Sequence, residues 1–306
     1  MNAVTDGAAI APEPAARVAA PSRIRPRTGG FWRRMGRHVL RDKVALICAI
    51  VLLAIALAAL FAPWIAPADP YKTSMLRRLR PPLSPGNFLG TDELGRDMLS
   101  RLLFGGRVSL AMGLTPVILA TMLGGALGVM AGYFGRGINM AIMRVVDIFY
   151  AFPSVLLAVA MAGVLGAGIG NSLLSLTLVF IPPITRVAES VTTQVRNQEY
   201  VEAARATGAG PFRIIIQHVL ANVTGPILTY ASSLVSVAII ISSGLSFLGL
   251  GAAPPIADWG LMLNTLRQAI YVAPINAVLP GVMIFAASVS FNLLSDSMRT
   301  AMDVRA

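Results

Sequence analysis

Residues 148–185 read IFYAFPSVLLAVAMAGVLGAGIGNSLLSLTLVFIPPIT, 38 residues without a charged side chain, and they decide the fold. A single helix of that length would extend about 57 Å at about 1.5 Å per residue, nearly twice the thickness of membrane hydrocarbon. A turn is favoured near the middle of the run, at Gly163, Gly166, Gly168, Gly170 and Asn171. The run therefore predicts two membrane-spanning helices joined by a short turn.

The composition of the whole chain indicates the same class. Of its 306 residues, 56% are hydrophobic and only 13% are charged, so a soluble domain of this length would lack a polar surface. The net charge of +11 would suit nucleic acid, but the basic residues concentrate beside apolar runs, where they set membrane orientation. We predict an all-α polytopic membrane protein with no nucleic-acid partner. One cysteine, Cys48, and two distant histidines predict neither an intrachain disulfide nor a metal site.

The first span is expected within the N-terminal region. Residues 44–62 form an uncharged stretch of 19 residues after a basic segment, enough to cross about 30 Å of hydrocarbon. A cleaved signal peptide is the alternative, but its leader would have 43 residues and its apolar part would exceed the usual length. We expect residues 31–66 to be a basic segment and a retained span. Residues 1–30, rich in Ala, Pro and Arg, are expected to be a disordered tail.

The second span is expected at 108–133, where Gly124, Gly128 and Gly132 recur every four residues. Such a face allows another helix to approach closely in lipid. Before it, residues 67–105 are expected to be an external loop with an amphipathic helix at the membrane surface. Thr91 would cap this helix. Its charged side would carry Arg96, Asp97 and Arg101, opposite an apolar side formed by Leu94, Met98, Leu99, Leu102 and Leu103.

The C-terminal half contains another uncharged run, at 219–257, which glycines and Pro254-Pro255 interrupt. We expect a span at about 225–250 and a re-entrant or surface loop up to Tyr271. The last span should lie within 269–295 and begin near Pro274. The total is six spans: the first one and a five-helix core at 106–298, which precedes C-terminal residues 299–306. Arg144 and Asp147, three residues apart, are expected to pair on one helix side.

The distribution of basic residues predicts the orientation. With the N-terminus inside, the cytoplasmic segments 1–43, 134–144, 186–222 and 298–306 hold 17 of the 25 Lys and Arg residues. The opposite side holds the other 8. Because cytoplasmic loops carry the excess of Lys and Arg, we expect both termini in the cytoplasm, and with them the polar loop at 194–222.

That loop, QVRNQEYVEAARATGAGPFRIIIQHVLAN at 194–222, is one of the few strongly polar stretches. It predicts a helix, a stop at Gly208 and a second helix opened by Pro211. Small Ala203 and Ala204 would let a partner helix approach closely, and Glu202 offers a carboxylate to a partner arginine. The alternative is a surface helical hairpin without a partner.

The sequence shows no catalytic constellation. It has no phosphate-binding Gly-x-x-x-x-Gly-Lys-Ser/Thr loop, no His-Glu-x-x-His and no Gly-x-Ser-x-Gly. Ser246 resembles part of an intramembrane serine-protease motif, but no predicted span contains a histidine to act as its base. The predicted spans are also free of charge at their centres, unlike those of proton- or sodium-driven carriers. We therefore expect a non-catalytic chain that depends on an external energy source.

Several stretches together resemble the permease subunits of ATP-binding-cassette (ABC) importers. Glu202-Ala203-Ala204 with Gly208, followed by His218-x-Leu220, is similar to their cytoplasmic coupling motif. Other stretches resemble the C-type permease of the dipeptide/oligopeptide/nickel group: GTDELGRD at 90–97, GYFG at 132–135, VVDIF at 145–149, AFP at 151–153, LSFLGLG at 245–251 and FNLL at 291–294. Two positions depart from the family pattern. Ala221 stands where a proline is usual, and Ser242-Ser243-Gly244 where an acidic residue is common.

The resemblance implies a type I ABC importer permease fold in a bacterial cytoplasmic (inner) membrane. Its implied partners are a second homologous permease, two ATPase subunits that bind ATP and Mg, and an extracytoplasmic substrate-binding protein. This chain would bind no cofactor itself. Its coupling residues would insert into a groove on one ATPase: Glu202, Ala203, Ala204, Arg205 and Gly208.

The resemblance also implies a substrate class, namely peptides or peptide-like solutes, with nickel or another small solute as the alternative. A stand-alone channel or secondary carrier is the alternative from a different class. Candidates for a polar pathway lining are Ser232, Ser233, Ser236 and Ser242 on the fifth span. A serine in a span also commonly bonds its own backbone, which is the competing interpretation of these four residues.

Overall fold

The computed structural model describes residue 36 and residues 39–303, and this part of the chain is built from helices and turns. Its α-helices are α1 Lys43–Leu60, α2 Ala62–Ile65, α3 Met98–Phe134, α4 Arg136–Tyr150, α5 Ser154–Leu165, α6 Ile169–Arg196, α7 Glu199–Ala206, α8 Pro211–Ile214, α9 Leu220–Phe247, α10 Trp259–Leu266 and α11 Pro274–Asp303. A π-helical segment, Ile215–Val219, connects α8 to α9. The tail predicted at 1–30 lies outside the described residues.

Five of the described helical segments are long and apolar enough to cross a membrane. They are α1, α3, α6, the continuous segment Pro211–Phe247 and α11. A sixth is obtained when α4 and α5, which are bent by 87° at the break between them, count as one broken span. The predicted six spans are confirmed on that count, and the turn predicted within 148–185 lies between α5 and α6.

The α3–α6 contact contains the predicted glycine face. A Cβ atom at Gly124 would lie 2.7 Å from the Ile181 carbonyl oxygen, and one at Gly132 would lie 2.7 Å from the Glu189 carbonyl oxygen. At Gly128 an added Cβ would overlap the Thr185 carbonyl oxygen. The two backbones therefore approach so closely that no side chain fits between them, and the prediction of close packing is confirmed.

The amphipathic helix predicted around 91–103 is wrong. Residues 91–97 form a compact turn, and α3 begins at Met98 with Asp97 as its N-cap, whose Oδ2 accepts the N–H of Ser100 at 2.8 Å. The helix then continues without a break to Phe134. Arg96, Asp97 and Arg101, expected on an exposed side, are only 4%, 3% and 2% exposed.

Asp92 explains why these charged residues turn inward. Its Oδ1 accepts the backbone N–H groups of Leu94 and Arg96, each at 2.9 Å, which closes the turn instead of starting a helix. Its Oδ2 pairs with Arg96 Nε at 2.6 Å and with Arg101 Nε at 3.2 Å. Arg96 also pairs with Glu93 Oε1 at 2.9 Å, so two carboxylates neutralise the two buried guanidinium groups. Helical periodicity alone could not predict this cluster.

Hydrogen bonds connect this region to α11, and a buried tryptophan connects α10 to the beginning of α3. Asn276 of α11 donates to the carbonyl oxygens of Arg80 and Thr91, at 2.9 and 2.8 Å. Trp259 of α10 is fully buried and donates its indole N–H to Leu102 of α3 at 2.9 Å. The segment between α2 and α3 is therefore an ordered part of the fold that is bonded to α11, while Trp259 fastens α10 to the beginning of α3.

The predicted pairing of Arg144 with Asp147 is also wrong. Asp147 instead accepts a hydrogen bond from Arg186 of α6. The guanidinium of Arg186 further lies 4.9 Å from the centre of the Tyr150 ring. A partner on another helix thus replaces the local one, because α4 crosses α6 at this point.

Gly128→Ala should destabilise the protein by about 1–3 kcal/mol, since the new methyl group overlaps the α6 backbone. Gly125→Ala is the matched control in the same helix, because a Cβ there would have no atom within 4 Å. Thermal unfolding of the purified protein in detergent should show a midpoint several degrees lower for Gly128→Ala only. Equal midpoints for the two variants would contradict the close α3–α6 packing.

Asp92→Ala should cost about 3–5 kcal/mol, because it leaves the buried guanidinium of Arg101 without its carboxylate and leaves Arg96 with Glu93 alone. Asp69→Ala is the control, since Asp69 is an exposed carboxylate of the same segment. The measurement is again the thermal midpoint, together with the yield of folded protein. A midpoint for Asp92→Ala that matches the control would show that the buried ion cluster does not support the fold.

Candidate functional site

The polar loop folds as the sequence predicts into two short helices separated by a glycine. Helix α7 ends in a Schellman motif, in which the N–H of Gly208 bonds Arg205 O at 2.9 Å and the N–H of Ala209 bonds Ala204 O at 3.1 Å. Gly208 has φ +79°, a left-handed conformation that suits glycine. Pro211 then opens α8. The predicted stop at Gly208 and start at Pro211 are confirmed.

The loop helix exposes the residues that the sequence singles out for coupling. Glu202, Ala203, Arg205 and Gly208 are exposed and Ala204 is half-buried. On the inner side of the helix, Val201 is completely buried. The buried residues Ile214 of α8 and Val219 of the π-helical segment belong to the same hydrophobic core. The loop is therefore a pair of helices fixed to the bundle with a small-residue surface directed outwards.

A cation–π contact and a hydrogen bond connect this loop to the C-terminal end of α3. The guanidinium of Arg205 lies 5.4 Å from the centre of the Tyr133 ring. Arg196, the last residue of α6, donates to the Tyr133 carbonyl oxygen at 3.3 Å. Tyr133 therefore contacts both α7, through Arg205, and the end of α6, through Arg196. Sequence reasoning missed Tyr133, although it lies in the GYFG stretch that resembles the family.

A second contact holds α7 against the π-helical segment. The rings of Tyr200 and His218 lie with their centres 6.5 Å apart, and burial raises the pKa of the Tyr200 phenol. Tyr200 is therefore a neutral phenol at physiological pH. His218 also accepts a hydrogen bond on its carbonyl oxygen from the Asn222 side chain at 2.7 Å. Ala221, where the family usually has proline, simply continues the first turn of α9.

The four candidate serines of the pathway all donate to their own backbone. The acceptors are the carbonyl oxygens three residues earlier: Thr229 for Ser232, Tyr230 for Ser233, Ser233 for Ser236 and Ile239 for Ser242. Ser236 and Ser242 are buried inside this chain, which places them away from an open surface. Ser232 and Ser233 are half-buried. The exposed side of this part of α9 carries Val237, Ile240 and Gly244 instead.

Ser246 has a structural environment. Its Oγ accepts the backbone N–H of Ala252 at 3.2 Å, and the side chain is completely buried beneath Gly251. Among the described residues, no titratable side chain is hydrogen-bonded to this hydroxyl. Ser246, in the last turn of α9, therefore has a structural role in holding the turn that follows the helix.

The fold and the loop define a class: a multi-pass membrane protein whose long helices pack through small residues and whose surface helix pair is tied to the bundle. Comparison with known proteins identifies the family. Residues 124–306 match the family described as binding-protein-dependent transport system inner membrane component. Residues 30–82 match the N-terminal TM domain of oligopeptide transport permease C. The chain belongs to this family of inner-membrane permeases, and the predicted resemblance to ABC importer permeases is confirmed.

Individual relatives agree with the family assignment. The chain is 37% identical over 272 residues to the glutathione transport system permease protein GsiD of Pectobacterium atrosepticum. The aligned residues make up 89% of this chain and 90% of that protein. It is 38% identical over 272 residues to the dipeptide transport system permease protein DppC of Alkalihalophilus pseudofirmus, with 89% of each chain covered. A solved structure of the inward-facing MetNI methionine ABC transporter shares the fold, with a TM-score of 0.55 and 19% sequence identity. The match covers 68% of this chain and 98% of that chain.

Gly208→Val should fray α7, because a β-branched residue in the left-handed region costs about 1–2 kcal/mol. Gly208→Asn is the control, since asparagine tolerates that region. Hydrogen–deuterium exchange of the α7 amides should be about tenfold faster for Gly208→Val and nearly unchanged for Gly208→Asn. Because a Cβ at Gly208 meets no atom within 4 Å, equal exchange in both variants would rule out the Schellman motif as the stop of α7.

Proposed function

We propose that this chain is the non-catalytic permease subunit of an ATP-driven importer in a bacterial cytoplasmic membrane. It would form half of a translocation pathway for peptides or peptide-like solutes. Support for the substrate class comes from relatives named for glutathione and dipeptide transport. The other half of the pathway would be a second homologous permease, and an extracytoplasmic binding protein would deliver the solute.

The energy source in this proposal is a pair of ATPase subunits that bind ATP and Mg. They would dock on the α7–α8 loop, which the excess of basic residues on its side of the membrane assigns to the cytoplasm. Both termini lie on that side in the proposal. Glu202 would offer its carboxylate to an arginine of the ATPase, and Ala203 would allow close approach of the two surfaces.

One observation carries the coupling proposal: an exposed small-residue helix is fastened to a long membrane helix through Arg205 and Tyr133. When the ATPases close, α7 would be displaced, and Arg205 would pull on the end of α3. Because α3 and α6 are in backbone contact through Gly124, Gly128 and Gly132, they would move together. A small displacement at the loop would thus rotate a two-helix unit of the pathway.

Glu202→Lys should uncouple ATP hydrolysis from transport, since it places a cation opposite the expected arginine. In the purified complex with its ATPases and binding protein, substrate-stimulated hydrolysis should fall at least about tenfold, the factor expected for a lost charge-assisted contact. Gln217→Lys, which adds a cation at an exposed position nearby, should retain stimulation. Unchanged stimulation in Glu202→Lys would overturn the coupling role of α7.

The stand-alone alternative is tested by reconstitution of this chain in liposomes without any partner. The proposal expects no uptake of labelled dipeptide, because one chain provides half a pathway and no ATPase. Addition of the second permease, the ATPases, the binding protein and ATP should then produce uptake. Uptake by the chain alone, without ATP, would identify a channel or secondary carrier instead.

A further inference from the structure

An apolar groove lies between the C-terminal half of α3 and the chain that runs from α8 into α9. Its volume is about 730 Å³, within the range that small-molecule sites occupy. The polar side chains in its lining are Thr121 of α3 and Thr224 of α9. Each of them donates to the carbonyl oxygen four residues earlier in its own helix. The groove therefore offers a ligand mainly apolar contacts.

The length of the groove matches one leaflet of a membrane. Thr121, at its deep end, lies near the centre of the uncharged run 108–135, and Phe134, at its other end, lies two residues before Arg136, the first charge after that run. The two lining residues are separated by roughly 20 Å along the helix, compared with about 15 Å for half of the hydrocarbon core. A membrane-spanning helix would need a groove across the full thickness, so these dimensions favour an acyl chain.

Two arginines adjoin the shallow end of the groove. Arg213 directly follows the lining residue Phe212, and Arg136 lies two residues after Phe134. Both arginines are exposed, and neither forms an ion pair with another described residue. Arg213 donates through Nε to Gln217 at 3.2 Å, a contact that neutralises no charge. The shallow end therefore carries two guanidinium groups without a counter-charge from the part of the chain described.

A third arginine at this end of α3 has a structural role. Arg196 Nη1 would lie only 2.6 Å from a Cβ atom at Gly135, and it donates to the Tyr133 carbonyl oxygen at 3.3 Å. It thus satisfies a carbonyl group at the end of the helix. The carboxylates of α7, Glu199 and Glu202, pair with none of these three arginines within the described residues. The surroundings of the groove's shallow end are therefore positively charged.

We propose that the groove binds an anionic phospholipid of the cytoplasmic leaflet. One acyl chain occupies the groove, and the headgroup phosphate contacts Arg136 and Arg213. Basic pockets between membrane helices on the cytoplasmic side recognise anionic headgroups in this way, and guanidinium groups match phosphate oxygens in geometry.

The net charge of the headgroup decides the selectivity. Phosphatidylcholine has the same acyl chains and a phosphate, but its ammonium group would be repelled by two unpaired arginines. Phosphatidylglycerol lacks that cation. The inference goes beyond the proposed transport function and uses only the membrane orientation from it, because the excess of basic residues assigns the end of α3 to the cytoplasmic side.

Lipid in the groove can be detected by fluorescence quenching in the assembled transporter. Met130→Trp places a tryptophan in the groove lining, four residues before Phe134. Trp32→Phe and Trp64→Phe remove two of the three natural tryptophans. Trp259 is fully buried and stays, and its signal is subtracted with the parent that keeps Met130. The complex is placed in phosphatidylcholine nanodiscs, and phosphatidylglycerol or phosphatidylcholine with brominated acyl chains, which quench tryptophan, is titrated in.

The tryptophan at 130 should associate with brominated phosphatidylglycerol at least about fivefold more strongly than with brominated phosphatidylcholine, since each basic residue near the surface contributes about that factor. Arg136→Gln combined with Arg213→Gln should bring the ratio close to one. The two corresponding Lys substitutions should keep most of it, because they retain the charge. Leu53→Trp, at an exposed position of α1, is the control and should give a ratio near one, because both lipids carry the same chains.

The apolar part of the site is tested with Gly125→Leu. Gly125 lines the groove, and a Cβ atom there would meet no atom within 4 Å, so a larger side chain can extend into the groove. Gly125→Leu should reduce quenching at 130 by both lipids, whereas Gly125→Ala, the matched control, should retain most of it. The thermal midpoint of both variants verifies that they are folded.

Three outcomes would overturn the lipid site. Equal association of the two lipids at 130 would indicate unselective lipid contact. A ratio that does not respond to the arginine substitutions, or quenching that does not respond to Gly125→Leu, would separate the lipid from the proposed contacts. Quenching by neither lipid would show that another protein chain covers the groove. If the complex retains substrate-stimulated ATP hydrolysis in any of these cases, the lipid site alone is refuted and the transport function stands.

Discussion

Helices α3 and α6 are in direct backbone contact, and this contact forms the centre of the bundle. At Gly124, Gly128 and Gly132 the second helix occupies the space that side chains would fill. In lipid there is little hydrophobic gain from bringing two helices together, so close van der Waals contact has to supply the attraction. The rigid unit that results is the surface on which α9, α10 and the α7–α8 loop are assembled.

The two ends of this unit are fastened by different chemistry. At one end, Asp92 and Glu93 pair with two buried arginines, and a fully buried tryptophan joins α10 to α3. At the other end, Arg205 and Arg196 both contact Tyr133 at the end of α3. The first arrangement is enclosed and locks helix ends in place. The second is partly open to solvent, because the side chain of Arg205 is exposed.

Local sequence patterns predicted much of the loop and the spans. Gly208 and Pro211 predicted the break in the loop, and the glycine repeat predicted a packing face. Helical periodicity wrongly predicted an amphipathic helix at 91–103. The carboxylate of Asp92 instead closes a turn there and draws Arg96 and Arg101 inward. Periodicity also could not show that Asp147 pairs with Arg186, 39 residues away in sequence. Partners across elements have no local signature.

Local sequence patterns are sufficient to predict a polytopic helical protein, the approximate spans, the two-helix loop and the family. These follow from uncharged length, glycine spacing and short motifs, which are local properties of the chain. Only the tertiary structure decided which polar side chains meet, since that depends on how helices cross. It placed Ser236 and Ser242 in the interior and left Arg144 and Arg186 open to a surface, because burial is a property of the packed bundle.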